Sequence, residues 1–369
     1  MELEEAAHRL HVDPQKLKSW ESGAETPTVA QLRKIAHIYK QSFAAFYLPA
    51  PPDVFTPPTR DYRLLPDELR GEISSAIAQE MRLAIERREI CLELLAEKEE
   101  EPVAFGFRTS FQENPETVGG KLRSLLGITR EQQQSWHNAR IGFNKWRSAL
   151  ESRGVLVFQA VDVNMSEMRG FSVADFPLPV IVVNRKDSPA GRSFSMLHEL
   201  AHLALRSSGL CDLELGPEQT KEDRDAEVFC NHVAGSALVP KELLLKEPEV
   251  ENEAGPEWDD DILESLSRRY SVSREVVLRR LLILELTTPE FYEQKRKEYL
   301  RRYRLQSKQA RQRGFLLPAP NVISSAGRLY TATVLDALHN GRITTSDASD
   351  FFGIRTKHFD QLSVLLSAG

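Results

Sequence analysis

Residues 195 to 205 read Ser195-Met196-Leu197-His198-Glu199-Leu200-Ala201-His202-Leu203-Ala204-Leu205, an apolar stretch interrupted by two histidines and one glutamate. On a helix, positions four apart lie one above the other on the same face, so His198 and His202 can turn both imidazoles toward one metal ion with Glu199 beside them. That H-E-x-x-H spacing is the geometry a zinc peptidase needs. With nine histidines in 369 residues the pattern can also arise by chance, so its surroundings have to decide.

Upstream, Gly154-Val155-Leu156-Val157-Phe158-Gln159-Ala160 and Pro179-Val180-Ile181-Val182-Val183-Asn184 are rich in β-branched residues and bounded by Gly, Pro and Asn, and Gly170–Ala174 has the same character. These predict a small sheet beside a helix that opens at Ser188-Pro189, an N-cap followed by proline at the first helical position. The strand just ahead of that helix would be an edge to which an extended peptide adds. Residues 118–126 and 132–153 read as helices leading into the sheet.

Two histidines are half of a tetrahedron, and a catalytic zinc needs a third protein ligand. Residues 222 to 240 read as a helix ended by Pro240, on which Glu227, Cys230, Asn231, Ala234 and Leu238 share a small, apolar face. A carboxylate buried on that face requires a partner, and zinc would be one. His232, on another face, and Asp223 and Asp225, in an acidic first turn, are the rivals for this role. Cys211 and Cys230 have no C-x-x-C partner and make a weak case for a structural thiolate site.

His198 through Leu205, Glu227-x-x-Cys230-Asn231 and the closing Leu238-Val239-Pro240 together resemble the ImmA/IrrE family of metallopeptidases, most closely over residues 115 to 285. Val239 stands where that family has methionine. The resemblance implies His198, His202 and Glu227 as zinc ligands, Glu199 as general base, and a repressor protein as the substrate, cut to release transcription under stress. The competing reading is a DNA-binding regulator whose zincin core senses a ligand or metal without cutting; a third is an interaction module with structural zinc.

The N-terminal residues predict helices over 3–10, 14–21, 27–39 and 42–47, with Asp13-Pro14 and Thr26-Pro27 as starts and Ser22-Gly23 as a stop. Residues 3 to 23 resemble the phage-repressor-like XRE helix-turn-helix, with Glu21-Ser22-Gly23 ending the recognition helix. Leu10, Leu17 and Leu32 would be core, and Gln15, Lys16, Lys18 and Ser19 would face DNA. The first helix of that family has no counterpart before Leu3. Residues 1–50 carry six Lys or Arg against six Asp or Glu, so the module forgoes much of the phosphate attraction on which non-specific affinity rests.

The organisation that follows is α+β: a zincin-like catalytic domain with mainly helical N- and C-terminal domains. Residues 1–50 form the helix-turn-helix; 51–114 a proline-rich hinge and a long amphipathic helix over 66–97; 115–255 the catalytic domain; 256–286 a second helix-turn-helix-like pair that either binds DNA or closes over the catalytic domain. Residues 287–369 hold a basic helix, with nine Lys or Arg between 295 and 313, and a helical block with helices at 327–339 and 343–352 around Asn340-Gly341. No run of some eighteen apolar residues and no basic signal-peptide start is present, and three scattered cysteines fit a reducing compartment. The expectation is a cytoplasmic protein without a membrane segment. A net charge of -6 gives no global reason to expect nucleic acid.

Overall fold

In the computed structural model, which describes residues 3–39, 46, 74–206, 210–211, 221–252, 255–309 and 317–367, several helices begin at a side-chain cap. After α1 (Leu3–Leu10) comes α2 (Pro14–Glu21), whose N-cap Asp13 accepts a hydrogen bond from the Gln15 backbone N–H at 2.8 Å. The third helix, α3 (Val29–Tyr39), starts later than Thr26-Pro27 predicts. Thr28 and Gln31 cap each other: the Thr28 N–H donates to the Gln31 side chain at 2.8 Å and the Gln31 N–H to Thr28 Oγ1 at 3.3 Å. Ala6, Ala7, Leu10, Leu17, Trp20 and Ile35 form the core of this unit. Leu32, expected there, is half-buried, and Trp20 and Ile35 are core residues instead. Of the helix expected at 42–47 only Phe46 is among the described residues.

Contacts divide the described chain into two compact units, the boundary falling within α4 (Ser75–Ala96) between Arg82 and Leu83. The part of the predicted 66–97 helix that precedes residue 74, with the hinge, lies outside the described residues.

In the second unit the rest of α4 is followed by α5 (Pro115–Leu126), α6 (Arg130–Gln134) and α7 (Ala139–Glu151). The single helix expected over 132–153 is therefore two. Asn138 accepts from the N–H groups of both Arg140 and Ile141 at 3.0 Å, which starts a new helix instead of continuing the old one. Strands β1 (Leu156–Ala160), β2 (Gly170–Val173) and β3 (Val180–Asn184) are buried at every residue, which accounts for their continuous apolar runs. The motif helix α8 (Pro189–Ala204) follows, capped by Ser188 Oγ accepting from the Gly191 N–H at 3.0 Å. A short β4 (Leu210–Cys211), which no sequence signal marked, completes a sheet of order β1-β3-β2-β4. The strand ahead of α8 is thus not an edge: β3 pairs in parallel with β1 (Leu156↔Val180) and antiparallel with β2 (Gly170↔Val183). Its backbone groups are committed on both sides, so no peptide can add there.

Helix α9 (Lys221–Leu238) lies across α5 and α8 and is followed by α10 (Lys241–Leu244), α11 (Pro248–Asn252), α12 (Asp260–Tyr270) and α13 (Arg274–Ile283). Ser273 caps α13 by accepting from the Val276 N–H at 3.2 Å. Leu263, Leu266, Val277 and Leu281 of this pair belong to the same core as Leu197, Leu200 and Val233 of α8 and α9. Arg280, fully buried, fixes the arrangement with two bonds to the Glu116 carboxylate at 2.6 and 2.7 Å and one to the Val239 carbonyl at 2.9 Å. The α12–α13 pair therefore shares one buried core with α8 and α9.

Among the described residues, the α-helices after α13 are α14 (Pro289–Gln309), α15 (Pro318–His339), α16 (Thr345–Phe352) and α17 (Phe359–Ser367). The helix expected from 327 starts at Pro318 and breaks at Gly327, where φ is 82°. A Cβ at 327 would lie 2.2 Å from Glu151 Oε1 and 2.9 Å from the Val157 carbonyl, so both the conformation and the space require glycine. This break seats α15 on β1, where Arg147 donates to the Ser324 carbonyl at 2.7 Å. Among the described residues no helix is long and apolar enough to cross a membrane.

Candidate metal centre

The apolar residues of the opening motif are what bring its polar ones together. Met196, Leu197, Leu200, Ala201, Leu203 and Ala204 are all buried, which holds α8 inside the core and carries His198, Glu199 and His202 in with it, at 4%, 0% and 5% exposure. Burying three ionisable groups on one helix is costly unless each is matched. The match comes from α9, whose Cys230, Ala234 and Leu238 pack inward and turn Glu227 toward the two histidines.

The result is three donor groups aimed at one point. His198 Nε2 and His202 Nε2 are 3.0 Å apart, His198 Nε2 is 3.3 Å from one oxygen of Glu227, and His202 Nε2 is 3.2 Å from the other. Among the described residues this is the group of His, Cys, Asp or Glu side chains that converges tightly enough to hold a cation. Zn–N and Zn–O lengths of about 2.0–2.1 Å in a tetrahedron space their donors roughly 3.3 Å apart, and a His₂Glu set is a zinc donor set by chemistry as well as by spacing. The residues present fit the ion.

Further groups set the state of these ligands. Asn231, one turn after Glu227, places Oδ1 3.1 Å from His198 Nδ1. An amide oxygen only accepts, so Nδ1 carries the proton and Nε2 keeps its lone pair for the cluster. Burial works against the Glu227 carboxylate, but the two imidazoles that face it outweigh this and hold Glu227 well below the usual carboxylate range. Burial likewise disfavours charge on His202, yet Cys230, Glu227 and Glu199 raise it well above the ordinary histidine value. The Cys230 thiol is pushed up, mainly by burial. Glu199 sits beneath β2: a Cβ on Gly170 would come within 3.3 Å of its Oε1, so glycine there leaves room for the glutamate.

The rival ligands are engaged elsewhere or turned outward. His232 pairs through Nε2 with Glu116 Oε1 at 2.6 Å, and Asp225 is exposed. The side chains of Asp223 and Cys211 lie outside the described residues.

Comparison with known families agrees with this geometry. Residues 150–282 match the peptidase M78 family model, the IrrE N-terminal-like domain. The match spans just over a third of the chain, contains all of His198, Glu199, His202 and Glu227, and makes this part of the protein metallopeptidase-like. No curated protein matches the chain significantly.

Above the ligands lies a cleft of about 200 Å³. One wall is α8 and α9, with Gly191, Phe194, Ser195 and Asn231; the other is α13, with Ser273, Glu275, Val276 and Arg279; Arg169 and Arg296 complete it. Spacing along the chain signalled neither wall, because the arginines come from three separate elements. The residues expected to face DNA belong to the other unit. There Gln15, Lys16 and Lys18 are exposed on α2 and Ser19 is half-buried, its hydroxyl donating to the Lys16 carbonyl at 2.8 Å.

Proposed function

We propose that this chain is a zinc-dependent endopeptidase joined to a helix-turn-helix, with His198, His202 and Glu227 as the metal ligands and Glu199 as the general base. The convergence of these ligands at the floor of an open cleft carries the reading. When bound, zinc supplies Lewis acidity at the scissile carbonyl and makes water a competent nucleophile near neutral pH. Glu199 accepts the proton of the attacking water and passes it to the leaving amine. Asn231 keeps His198 in the tautomer that ligation needs, and the buried α8 holds both imidazoles in register. The M78 match supports a peptidase, the resemblance to ImmA/IrrE peptidases implies a substrate of the repressor class, and Gln15, Lys16, Lys18 and Ser19 are the proposed DNA-facing residues.

Elemental analysis of the full chain, followed by incubation of wild type and Glu199→Gln with repressors encoded nearby, tests this. The expected result is one zinc per chain in both proteins, cleavage by wild type, and loss of cleavage by at least about a hundredfold in Glu199→Gln, since an amide cannot take the proton. Cleavage that survives in Glu199→Gln, or wild type that holds no stoichiometric metal, would sink the mechanism.

A further inference from the structure

Among the cations that line the cleft, one has no carboxylate partner among the described residues. Arg169, Arg279 and Arg296 line it together with Glu227 and Glu275. Glu227 belongs to the ligand set, and Glu275 is engaged by Arg296, with Oε1 3.5 Å from Nε. Arg279 differs: its Nε donates to the Tyr292 hydroxyl at 3.2 Å, a neutral partner, and no carboxylate among the described residues lies within ion-pair distance of it. Arg169 lies across the cleft and shares its field with the buried Asp187. A bound divalent cation would make the cleft more positive still. Phe194 and Val276 supply apolar wall between these charges, suited to the methylene stem of a side chain.

Resting on the peptidase reading above, we propose that Arg169 and Arg279 form a specificity site for a substrate carboxylate, so that the cleft selects an extended peptide with Asp or Glu close to the scissile bond. Guanidinium binds carboxylate through a planar pair of charge-assisted hydrogen bonds, which a partly enclosed cleft strengthens relative to open water. Glutamine, equal in shape, offers one neutral acceptor and keeps little of this attraction. The same chemistry could come from a terminal carboxylate, which would make the enzyme trim chain ends.

Binding separates these cases without requiring turnover. Short fluorescein-labelled peptides, acetylated and amidated, are compared in pairs with Glu or Gln at one position, alongside a Gln peptide with a free C-terminus, for binding to full-length, zinc-loaded Glu199→Gln. The expected result is a position at which Glu binds about tenfold or more tightly than Gln. That advantage should shrink to within about twofold in Arg279→Gln and in Arg169→Gln, while the Gln peptide binds as before. Should Arg279→Gln fail to fold for want of its Tyr292 bond, Arg169→Gln carries the test. A gain confined to the free C-terminus would assign the same site to a terminal carboxylate. Equal binding of Glu and Gln peptides, or arginine variants that weaken both alike, overturns the carboxylate site and leaves the peptidase reading intact. No binding by any peptide, together with no hydrolysis by wild type, overturns both.

Discussion

At the residue scale, the ligand set depends on one amide that touches no metal. Asn231 Oδ1 fixes the proton of His198 on Nδ1, and an imidazole whose tautomer and ring plane are preset needs no reorganisation to ligate. Asn231→Ala should lower zinc affinity by about 10–100-fold while leaving the fold intact, measured by competition with a chromophoric chelator. Unchanged affinity would mean that α8 alone orients the ring. This residue also marks how far the sequence could be read. Helical spacing was enough to put Glu227, Cys230, Asn231, Ala234 and Leu238 on one buried face, because period follows from backbone geometry. The hydrogen bond from α8 to Asn231 is a contact across 33 positions. It becomes visible only when α8 and α9 are side by side.

At the scale of elements, the helices that wall the cleft are held by a partly buried ion cluster outside the metal site. Glu116 of α5 accepts two bonds from Arg280 of α13 and one from His232 of α9, so a single carboxylate ties three helices together. Its burial alone would raise its pKa, yet hydrogen bonds from His232 and Arg280 prevail and hold it at about 2, below the ordinary value of 4.5. A carboxylate whose folded pKa is depressed contributes stability in full above its unfolded pKa and loses it as pH falls through the folded one. The Glu116 contribution is therefore present above about pH 4.5 and gone below about pH 2. Glu116→Gln should cost roughly 3 kcal/mol near neutral pH, because fully buried Arg280 loses its counter-charge, and the gap from wild type should narrow on acidification across that window. Urea melts of both proteins between pH 7 and pH 2.5 check this; a gap independent of pH would assign the cost to packing alone. Elements as such were largely legible, since caps such as Asp13, Ser188 and Ser273 are local chemistry. Less legible were the break at Asn138, where one side chain outcompeted a continuing helical pattern, and the position of β3 inside the sheet, which strand composition does not encode.

At the scale of the whole molecule, a net charge of -6 and a neutral N-terminal segment set the strength of any nucleic-acid contact. Affinity for duplex DNA grows with the number of phosphates neutralised, and its salt dependence counts them. The exposed cations on α2 are Lys16 and Lys18, and Glu21 at the end of the same helix is exposed as well. Two phosphate contacts predict a slope of log affinity against log salt of about -2, so that raising salt from 50 to 200 mM weakens binding only about tenfold. With only Lys16 and Lys18 as phosphate contacts, the proposed reading assigns discrimination to base contacts by Gln15 and Ser19, each of the order of 1–3 kcal/mol. If α2 is the DNA-facing helix proposed above, full-length protein binds a preferred site weakly and with a shallow salt slope, and Lys16→Gln with Lys18→Gln flattens that slope to near zero. A steep slope that survives this double change would place the contact elsewhere, with the basic residues of α14 the first to examine. Exposed Lys297 and Arg301 lie there, whereas Lys295 is already paired with Asp260 at 2.7 Å.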